Sequence, residues 1–246
     1  MNALPLVLVH GFMGGSRQWD LQQPYFQNQH PLITPDLPGF ADCAHLEAPD
    51  TIAGFAQFVL DSLHKQNIHR FMLLGHSMGG MIVQEMVALE PERVERLVLY
   101  GTAATGNLPG RFETFEISRK RIQSDGVISS ARRISVTWFL SQEAAPEYGN
   151  CSGIAERSSM QALMAGLNAM EAWDRTENLK NITCPTLIIW GEADRTYRWP
   201  QIEELWKTIP GVNLSILPGC SHAAHLEKPD LFNAVLADFT SQVGSE

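Results

Sequence analysis

A chain of 246 residues is long enough to bury a large core as one domain, with room for one insertion. Its 44% hydrophobic and 18% charged residues are typical of an ordinary globular protein. The 27 acidic and 18 basic residues give a formal net charge of -9, which repels phosphate backbones and anionic lipid surfaces. We therefore expect neither nucleic acid nor a membrane as a partner.

The first residues, MNALPLVLVHGF, carry no basic region, and their apolar run stops at His10, too early for a signal peptide or a membrane span. The four cysteines form no C-x-x-C pair, so we interpret them as reduced thiols without a metal or redox role. They are Cys43, Cys151, Cys184 and Cys220. These features predict a cytoplasmic enzyme.

The first predicted strand, Leu6–Val9, runs into a glycine-containing loop at residues 10–16. Such a loop either is a plain connection or leaves backbone N–H groups free above the sheet, where they can bind an anion. A second short strand is predicted at residues 31–34, followed by the turn PDLPGF. We expect Asp36 to anchor this turn by bonding to its own following backbone, and not to act as a catalytic acid.

Apolar residues recur at helical spacing over residues 51–66, with Asp50 or Thr51 as the N-cap. The stretch RFMLLGHSMGGMIVQEMVALE, residues 70–90, then combines an apolar strand, a glycine turn and a helix. Ser77 lies at the centre of the turn in the form G-x-S-x-G, in which glycines relieve crowding around a strained, exposed serine. A lone serine between glycines is usually a loop residue, but the flanking strand and helix favour a nucleophile.

A further strand, Val94–Tyr100, ends without a carboxylate. From about residue 106 to residue 180 strand-like runs disappear, and the pattern predicts a helical insertion over the sheet. The basic run at residues 119–121 is accompanied by acidic residues, so it indicates a solvated helix face. The apolar side of the insertion either lines a pocket or packs on the core. Its candidates are Phe112, Phe115, Trp138, Phe139, Met160, Met164 and Trp173.

The regular pattern resumes with an apolar strand at residues 184–190, a helix at residues 200–209, a strand at residues 214–217 and a final helix at residues 229–243. Strands that alternate with helices predict a parallel sheet covered on both faces. In such sheets ligands bind at the carboxyl ends of the strands, so the residues that follow each strand can meet.

Three of these strand ends carry groups suited to nucleophilic catalysis. They are Ser77, then Glu192 and Asp194, then His222 and His225. A serine hydroxyl needs an imidazole to take its proton, and the imidazole needs a carboxylate to orient it. The order serine, acid, histidine is the one expected for a strand-turn-helix nucleophile. We expect most of the other histidines to lie at the surface or in turns.

The segments LVLVHGF, PDLPGF, GHSMGG, PTLIIWGEAD and GCSHAAHLEKPDLF together resemble those of α/β-hydrolases. The resemblance covers nearly the whole chain except the insertion. It implies an α/β-hydrolase core formed by residues 1–105 and 181–246, with a helical cap at residues 106–180. Relatives usually begin with an additional hairpin that is missing here, so we expect a mainly parallel sheet of about six strands.

By this resemblance, Ser77 is the nucleophile, Asp194 the acid and His222 the general base. The backbone N–H groups of Phe12 and Met78 would form the oxyanion hole. Glu192 is the alternative acid, but the family pattern G-E-x-D favours Asp194.

Other details of the resemblance are secondary. His225 matches a histidine of the family that is common but not catalytic. Ser221 replaces the usual glycine before the base, with little expected consequence. Residues 40–43 depart from the family pattern after the PDLPGF glycine, so this loop is expected to differ in shape.

A serine nucleophile favours acyl transfer to water, so the sequence predicts a carboxylesterase-like enzyme that cleaves an ester, lactone or thioester. The alternatives are a hydrolase of carbon-carbon bonds in meta-cleavage products with the same three residues, and a non-catalytic ligand receptor on this fold. The expected partner is a small acyl substrate. No metal, nucleotide or organic cofactor is implied by any motif, and a monomer or a homodimer is expected.

Overall fold

The computed structural model describes residues 3–108 and 113–241. Its centre is a single six-stranded sheet in which every neighbouring pair of strands is parallel, in the order β2-β1-β3-β4-β5-β6. The strands are β1 (Leu6–Val9), β2 (Leu32–Ile33), β3 (Phe71–His76), β4 (Val94–Tyr100), β5 (Thr186–Gly191) and β6 (Asn213–Leu217). The predicted parallel sheet of about six strands is confirmed.

Helices connect the strands and cover both faces of the sheet. They are α1 (Gln23–Phe26), α2 (Ile52–Lys65), α3 (Met78–Leu89), α4 (Phe115–Ser135), α5 (Tyr148–Ala155), α6 (Met160–Ala172), α7 (Trp199–Thr208), α8 (Ala224–Glu227) and α9 (Pro229–Ser241). The predicted cap at Thr51 is present, since its hydroxyl accepts a hydrogen bond from the Gly54 N–H at 3.1 Å.

Alternate residues of the central strands enter two separate hydrophobic cores. Val7 and Val9 face the core that contains α2, α3 and the insertion helices, whereas Leu6 and Leu8 face the core that contains α9. This follows from the two-residue period of a strand, and it explains why the strands are apolar throughout. Burial on both faces places the polar chemistry at the strand ends.

Four strands differ in length from the sequence prediction, β6 only by the additional residue Asn213 at its start. β2 has only two residues, whereas β3 continues to His76 because it pairs with β4 up to Tyr100. β5 begins at Thr186 and continues to Gly191. The extra pairing at the ends of β3 and β5 brings the following residues to the same edge of the sheet.

The predicted insertion contains α4, α5 and α6, and α4 is broken at Gly126, whose φ is 78°. The two ends of the insertion meet, since Thr105 and Asp174 form an isolated antiparallel bridge. Next to this bridge the Arg175 guanidinium pairs with the buried Glu85 of α3. These contacts attach the insertion to the core.

The apolar candidates of the insertion lie in different environments. Phe112 lies outside the described residues. Phe115, Phe139 and Trp173 are buried in the packing, and Met160 is exposed. Trp138 alone among the described candidates lines the cavity above the sheet that also contains Ser77 and His222.

Within residues 3–108 and 113–241, no helix has both the length and the apolar character needed to cross a membrane. The cytoplasmic location stays a prediction.

Candidate active site

Ser77 lies between β3 and α3 in a backbone conformation that non-glycine residues rarely adopt, with φ 58° and ψ -120°. Such a conformation costs free energy and persists only where neighbouring contacts hold it. The Ser77 N–H donates to the Tyr100 carbonyl at 3.0 Å, and its carbonyl accepts from the Thr102 hydroxyl at 2.8 Å. The serine is therefore held at the apex of the turn by β4.

Two glycines make this turn possible through close backbone approach. A Cβ atom at Gly75 would lie 2.2 Å from the Gly79 carbonyl oxygen, and a Cβ atom at Gly79 would lie 2.3 Å from the Val9 carbonyl oxygen. Backbone atoms cannot yield as a flexible side chain does, so any side chain here would push α3 away from β1 and β3. The spacing of glycines around Ser77 thus reflects packing of the helix onto the sheet.

Asp194 and His222 come together at the ends of β5 and β6. The Asp194 carboxylate accepts a hydrogen bond from His222 Nδ1 at 2.8 Å, and both side chains are buried. The second carboxylate oxygen, Oδ1, accepts from the N–H groups of Thr196 at 2.7 Å and Tyr197 at 3.1 Å. With Nδ1 carrying the proton, Nε2 of His222 is left as the basic nitrogen.

Glu192, the alternative acid, faces another direction. It is exposed, and its carboxylate accepts a hydrogen bond from the Gly219 N–H at 3.2 Å. Asp194 and not Glu192 therefore contacts His222.

The carbonyl oxygen of His222 is fixed by two further side chains. His76 Nε2 lies 3.0 Å from it and must donate, because a carbonyl oxygen only accepts. The Tyr100 hydroxyl donates to the same oxygen at 2.8 Å. In turn the Tyr100 oxygen accepts from the backbone N–H of His225 at 3.1 Å and lies 3.0 Å from His225 Nδ1. Hydrogen bonds from β3 and β4 thus hold the loop that carries His222 in place.

Burial keeps these supporting groups neutral. Burial lowers the pKa of His225 to about 3 and that of His76 well below its usual value, and in both cases the neighbouring His222 lowers it further. Burial also raises the pKa of Tyr100 well above its usual value. These neutral groups support the His222 loop through hydrogen bonds, while the Asp194 carboxylate accepts the hydrogen bond from the His222 ring.

The expectation that most histidines outside the last loop lie at the surface or in turns does not hold for His10 and His76, which are buried. His10 Nδ1 donates to the Gly11 carbonyl at 2.8 Å, and its Nε2 accepts from the Leu37 N–H at 3.0 Å. Burial lowers the pKa of His10 to about 4. His10 therefore joins the loop after β1 to the turn after β2.

Asp36 joins the same two loops. We expected it to bond to the backbone that follows it, and this expected partner was wrong. The Asp36 carboxylate accepts a hydrogen bond from the Ser16 N–H at 2.6 Å, across twenty residues of sequence. It anchors the first loop and not only its own turn.

Phe12 and Met78 belong to the two segments next to Ser77, the loop after β1 and the start of α3. A Cβ atom at Gly11 would be 2.9 Å from the Ser77 Cβ, so the loop that carries Phe12 packs against the serine. Met78 is the first residue of α3, where backbone N–H groups have no partner within the helix. Both residues are in position to offer N–H groups beside Ser77.

Ser77 and His222 open onto one cavity of about 80 Å³ between the sheet and the insertion. Its wall is mainly apolar, with a few polar groups. The other lining residues are Phe12, Leu108, Ser118, Ile122, Ile134, Thr137, Trp138, Leu167, Met170, Arg195, Thr196 and Tyr197. Small-molecule sites have this combination of apolar wall and few convergent polar groups.

Among residues 3–108 and 113–241, no group of three or more His, Cys, Asp and Glu residues could hold a metal ion. The four cysteines are free thiols.

Sequence reasoning missed His76, Tyr100 and Arg195. The available signal was their position, because His76 precedes the serine, Tyr100 ends the neighbouring strand and Arg195 follows the acid. Ser221 was expected to have little consequence, and its N–H donates to Glu227 at 2.5 Å within the loop that carries His222.

The fold, a parallel six-stranded sheet with helices on both faces, is that of the α/β hydrolases. The model of the alpha/beta hydrolase family matches residues 6–235, and the chain belongs to that family.

Curated relatives span almost the same length. "Putative carbamate hydrolase RutD" of Pseudomonas savastanoi pv. phaseolicola is 25% identical over 95% of this chain and 92% of its own. The pimeloyl-[acyl-carrier protein] methyl ester esterase of Legionella pneumophila is 25% identical over 97% of this chain and 95% of its own. Among solved structures, the enol-lactonase from Burkholderia xenovorans LB400 superposes with a TM-score of 0.88 at 24% identity, covering 98% of this chain and 93% of its own.

Proposed function

We propose that this protein is a serine hydrolase that cleaves a carboxylic ester, or the related lactone or thioester, through an acyl-enzyme on Ser77. The observation that carries the proposal is the 2.8 Å hydrogen bond from His222 Nδ1 to Asp194, made at the wall of the cavity that also contains Ser77. It leaves Nε2 of His222 available as a base. Among the described residues, Ser77 in the turn before α3 is the only serine with a strained backbone.

In the first half of the reaction the Ser77 Oγ attacks the substrate carbonyl carbon while His222 Nε2 takes the hydroxyl proton. The Asp194 carboxylate stabilises the imidazolium that forms. Collapse of the tetrahedral intermediate breaks the bond to the leaving oxygen or sulfur, which takes the proton from His222. In the second half water attacks the acyl-enzyme, again with His222 as base, and releases the acid and Ser77.

The oxyanion of each tetrahedral intermediate needs N–H donors. We assign this role to the backbone N–H groups of Phe12 and Met78, which flank Ser77. Met78 starts α3, and the positive end of the helix dipole favours negative charge at this point. Loss of one such donor typically lowers kcat by about 10² to 10³-fold.

The relatives named above support ester or lactone chemistry, since their descriptions include a methyl ester esterase and an enol-lactonase. The cavity of about 80 Å³ favours a short acyl group over a long chain.

Purified protein and its Ser77→Ala variant test the proposal with a short p-nitrophenyl ester and with a fluorophosphonate probe. We expect wild-type turnover, and one covalent adduct that mass spectrometry assigns to Ser77. In the variant we expect loss of the adduct and a decrease of kcat on the order of 10⁶-fold. Ser124→Ala, at an exposed serine of α4, is the matched control and should behave as wild type.

Near-wild-type turnover by Ser77→Ala would contradict the mechanism. A wild-type protein that binds the ester but neither turns it over nor reacts with the probe would instead indicate a receptor.

A further inference from the structure

Arg195 lies on the wall of the cavity that contains Ser77 and His222. It is the only Lys, Arg, Asp or Glu among the described residues that line this cavity. Within residues 3–108 and 113–241, the structure shows no ion pair or hydrogen bond from its guanidinium. The cavity therefore contains a fixed positive charge whose partner is not supplied by the described part of the chain.

Two arginines of the insertion are different, because each has an acidic partner. Arg119 pairs with Glu171 at 2.6 Å, and Arg121 pairs with Glu113 at 2.8 Å. An overall charge of -9 makes acidic partners abundant. Arg195, which lies outside the insertion and beside the reactive groups, has no ion pair among the described residues and so differs from these two arginines.

The backbone on either side of Arg195 is held by the proposed catalytic acid. One oxygen of Asp194 accepts from the N–H groups of Thr196 and Tyr197, while the other accepts from His222. The Tyr197 ring also stacks on the His222 ring, with centroids 5.6 Å apart and an interplanar angle of 28°. The backbone on both sides of Arg195 is therefore held in place within the loop between β5 and α7, and Arg195 and His222 line the same cavity.

We propose that the substrate carries a carboxylate that Arg195 binds, so that the preferred substrates are short, singly anionic esters and lactones. The inference rests on the proposed function and names its substrate class. A guanidinium presents paired N–H donors that match the two oxygens of a carboxylate. The small apolar cavity holds the carbon chain between the carboxylate and the reacting carbonyl, while Arg195, which is itself exposed, meets the carboxylate at the cavity wall.

The acidic surface does not prevent such binding. At physiological ionic strength charges are screened beyond about 8 Å, so distant carboxylates have little effect inside the cavity. The nearest carboxylate, that of Asp194, already bonds to His222 and two backbone N–H groups.

The test compares each anionic ester with a neutral ester of the same carbon count. One series places the carboxylate on the acyl side, using the monoethyl esters of saturated diacids of about three to six carbons. A second series places it on the leaving side, using acetyl esters of short hydroxy acids. We expect kcat/KM for at least one anionic ester to exceed that for its neutral counterpart by about tenfold or more.

Arg195→Gln should reduce this anionic-to-neutral ratio about tenfold or more, and Arg195→Lys should restore part of it. Arg198→Gln is the matched control. It removes the same charge from a residue that lies three positions after Arg195 and does not line the cavity. Its ratio should equal that of wild type.

The inference is overturned if no anionic ester is preferred in either series, or if Arg195→Gln leaves the ratio unchanged. These outcomes differ from failure of the proposed function, in which neutral esters are not hydrolysed or are hydrolysed equally by Ser77→Ala.

Discussion

The Nδ1 atom of His222 lies 2.8 Å from Oδ2 of Asp194, at a point where both side chains are buried. Gly101 passes directly over this pair with φ 50°, and a Cβ atom there would lie 3.3 Å from His222 Nδ1 and 3.4 Å from Asp194 Oδ2. Gly101, at the end of β4, therefore covers the hydrogen bond between His222 and Asp194 and shields it from water. A hydrogen bond sheltered in this way holds the imidazole in one tautomer.

Asp194→Asn should lower kcat by about 10⁴-fold, because an amide stabilises the wrong tautomer of His222 and does not stabilise the imidazolium. Glu192→Gln is the matched control two residues away, and it should retain activity because Glu192 contacts Gly219. Steady-state kinetics on one short ester compares the two variants. The reverse ranking would assign the acid to Glu192.

Tyr100→Phe should lower both stability and turnover. The substitution removes one of two donors to the His222 carbonyl and leaves the buried N–H groups of His225 without their acceptor. An unsatisfied buried polar group costs about 1 to 3 kcal/mol, so the free energy of unfolding in urea should fall by that amount. We expect kcat to fall about tenfold as the His222 loop relaxes.

Tyr25→Phe, at an exposed tyrosine, is the control for the loss of a phenol hydroxyl and should change neither quantity. If Tyr100→Phe retained wild-type stability and kcat, the hydroxyl would not position His222.

Because His10 and His225 are buried, we expect the protein to lose stability as the pH falls below about 6.5. His10 and His225 have folded pKa values of about 4 and about 3, whereas an unfolded histidine titrates near 6.5. Between these values the unfolded chain binds more protons than the folded chain, so acid favours unfolding. Each residue should contribute about 2 kcal/mol of destabilisation between pH 6.5 and pH 5.

Urea unfolding at several pH values measures this loss, and proton NMR of the imidazole groups checks its source. The resonances of His10 and His225 should not titrate between pH 8 and pH 5 while the protein is folded. Titration of His225 near pH 6.5 in the folded state would refute this explanation.

Gly75→Ala should destabilise the protein strongly, by about 3 kcal/mol or more, since its Cβ would meet the Gly79 carbonyl at 2.2 Å. Gly153→Ala is the opposite case, because no atom lies within 4 Å of its Cβ position in α5. Alanine is favoured over glycine in a helix by about 0.5 to 1 kcal/mol, so this control should be neutral or stabilising. Thermal unfolding of both variants provides the comparison, and equal effects would contradict the packing argument.

The strands, the serine turn and the three strand ends with reactive side chains were all visible in the order of residues. Hydrophobic runs and glycine spacing are local properties, and a parallel sheet places the ends of its strands at one edge whatever its detailed register. That is why the sequence alone singles out Ser77, Asp194 and His222 as candidates. The preference for Asp194 over Glu192 came from the family pattern, and the direction of each carboxylate is a property of the folded loop.

The supporting groups depend on contacts between distant segments, which no local pattern encodes. His76 and Tyr100 act on a carbonyl more than one hundred residues away, because β3 and β4 are neighbours beneath the His222 loop. The partner of Asp36 and the bridging role of His10 follow in the same way from adjacent loops. Arg195 is an ordinary charged residue in the sequence. It becomes a candidate for substrate selection only because folding places it on the wall of the cavity and gives it no ion-pair partner among the described residues.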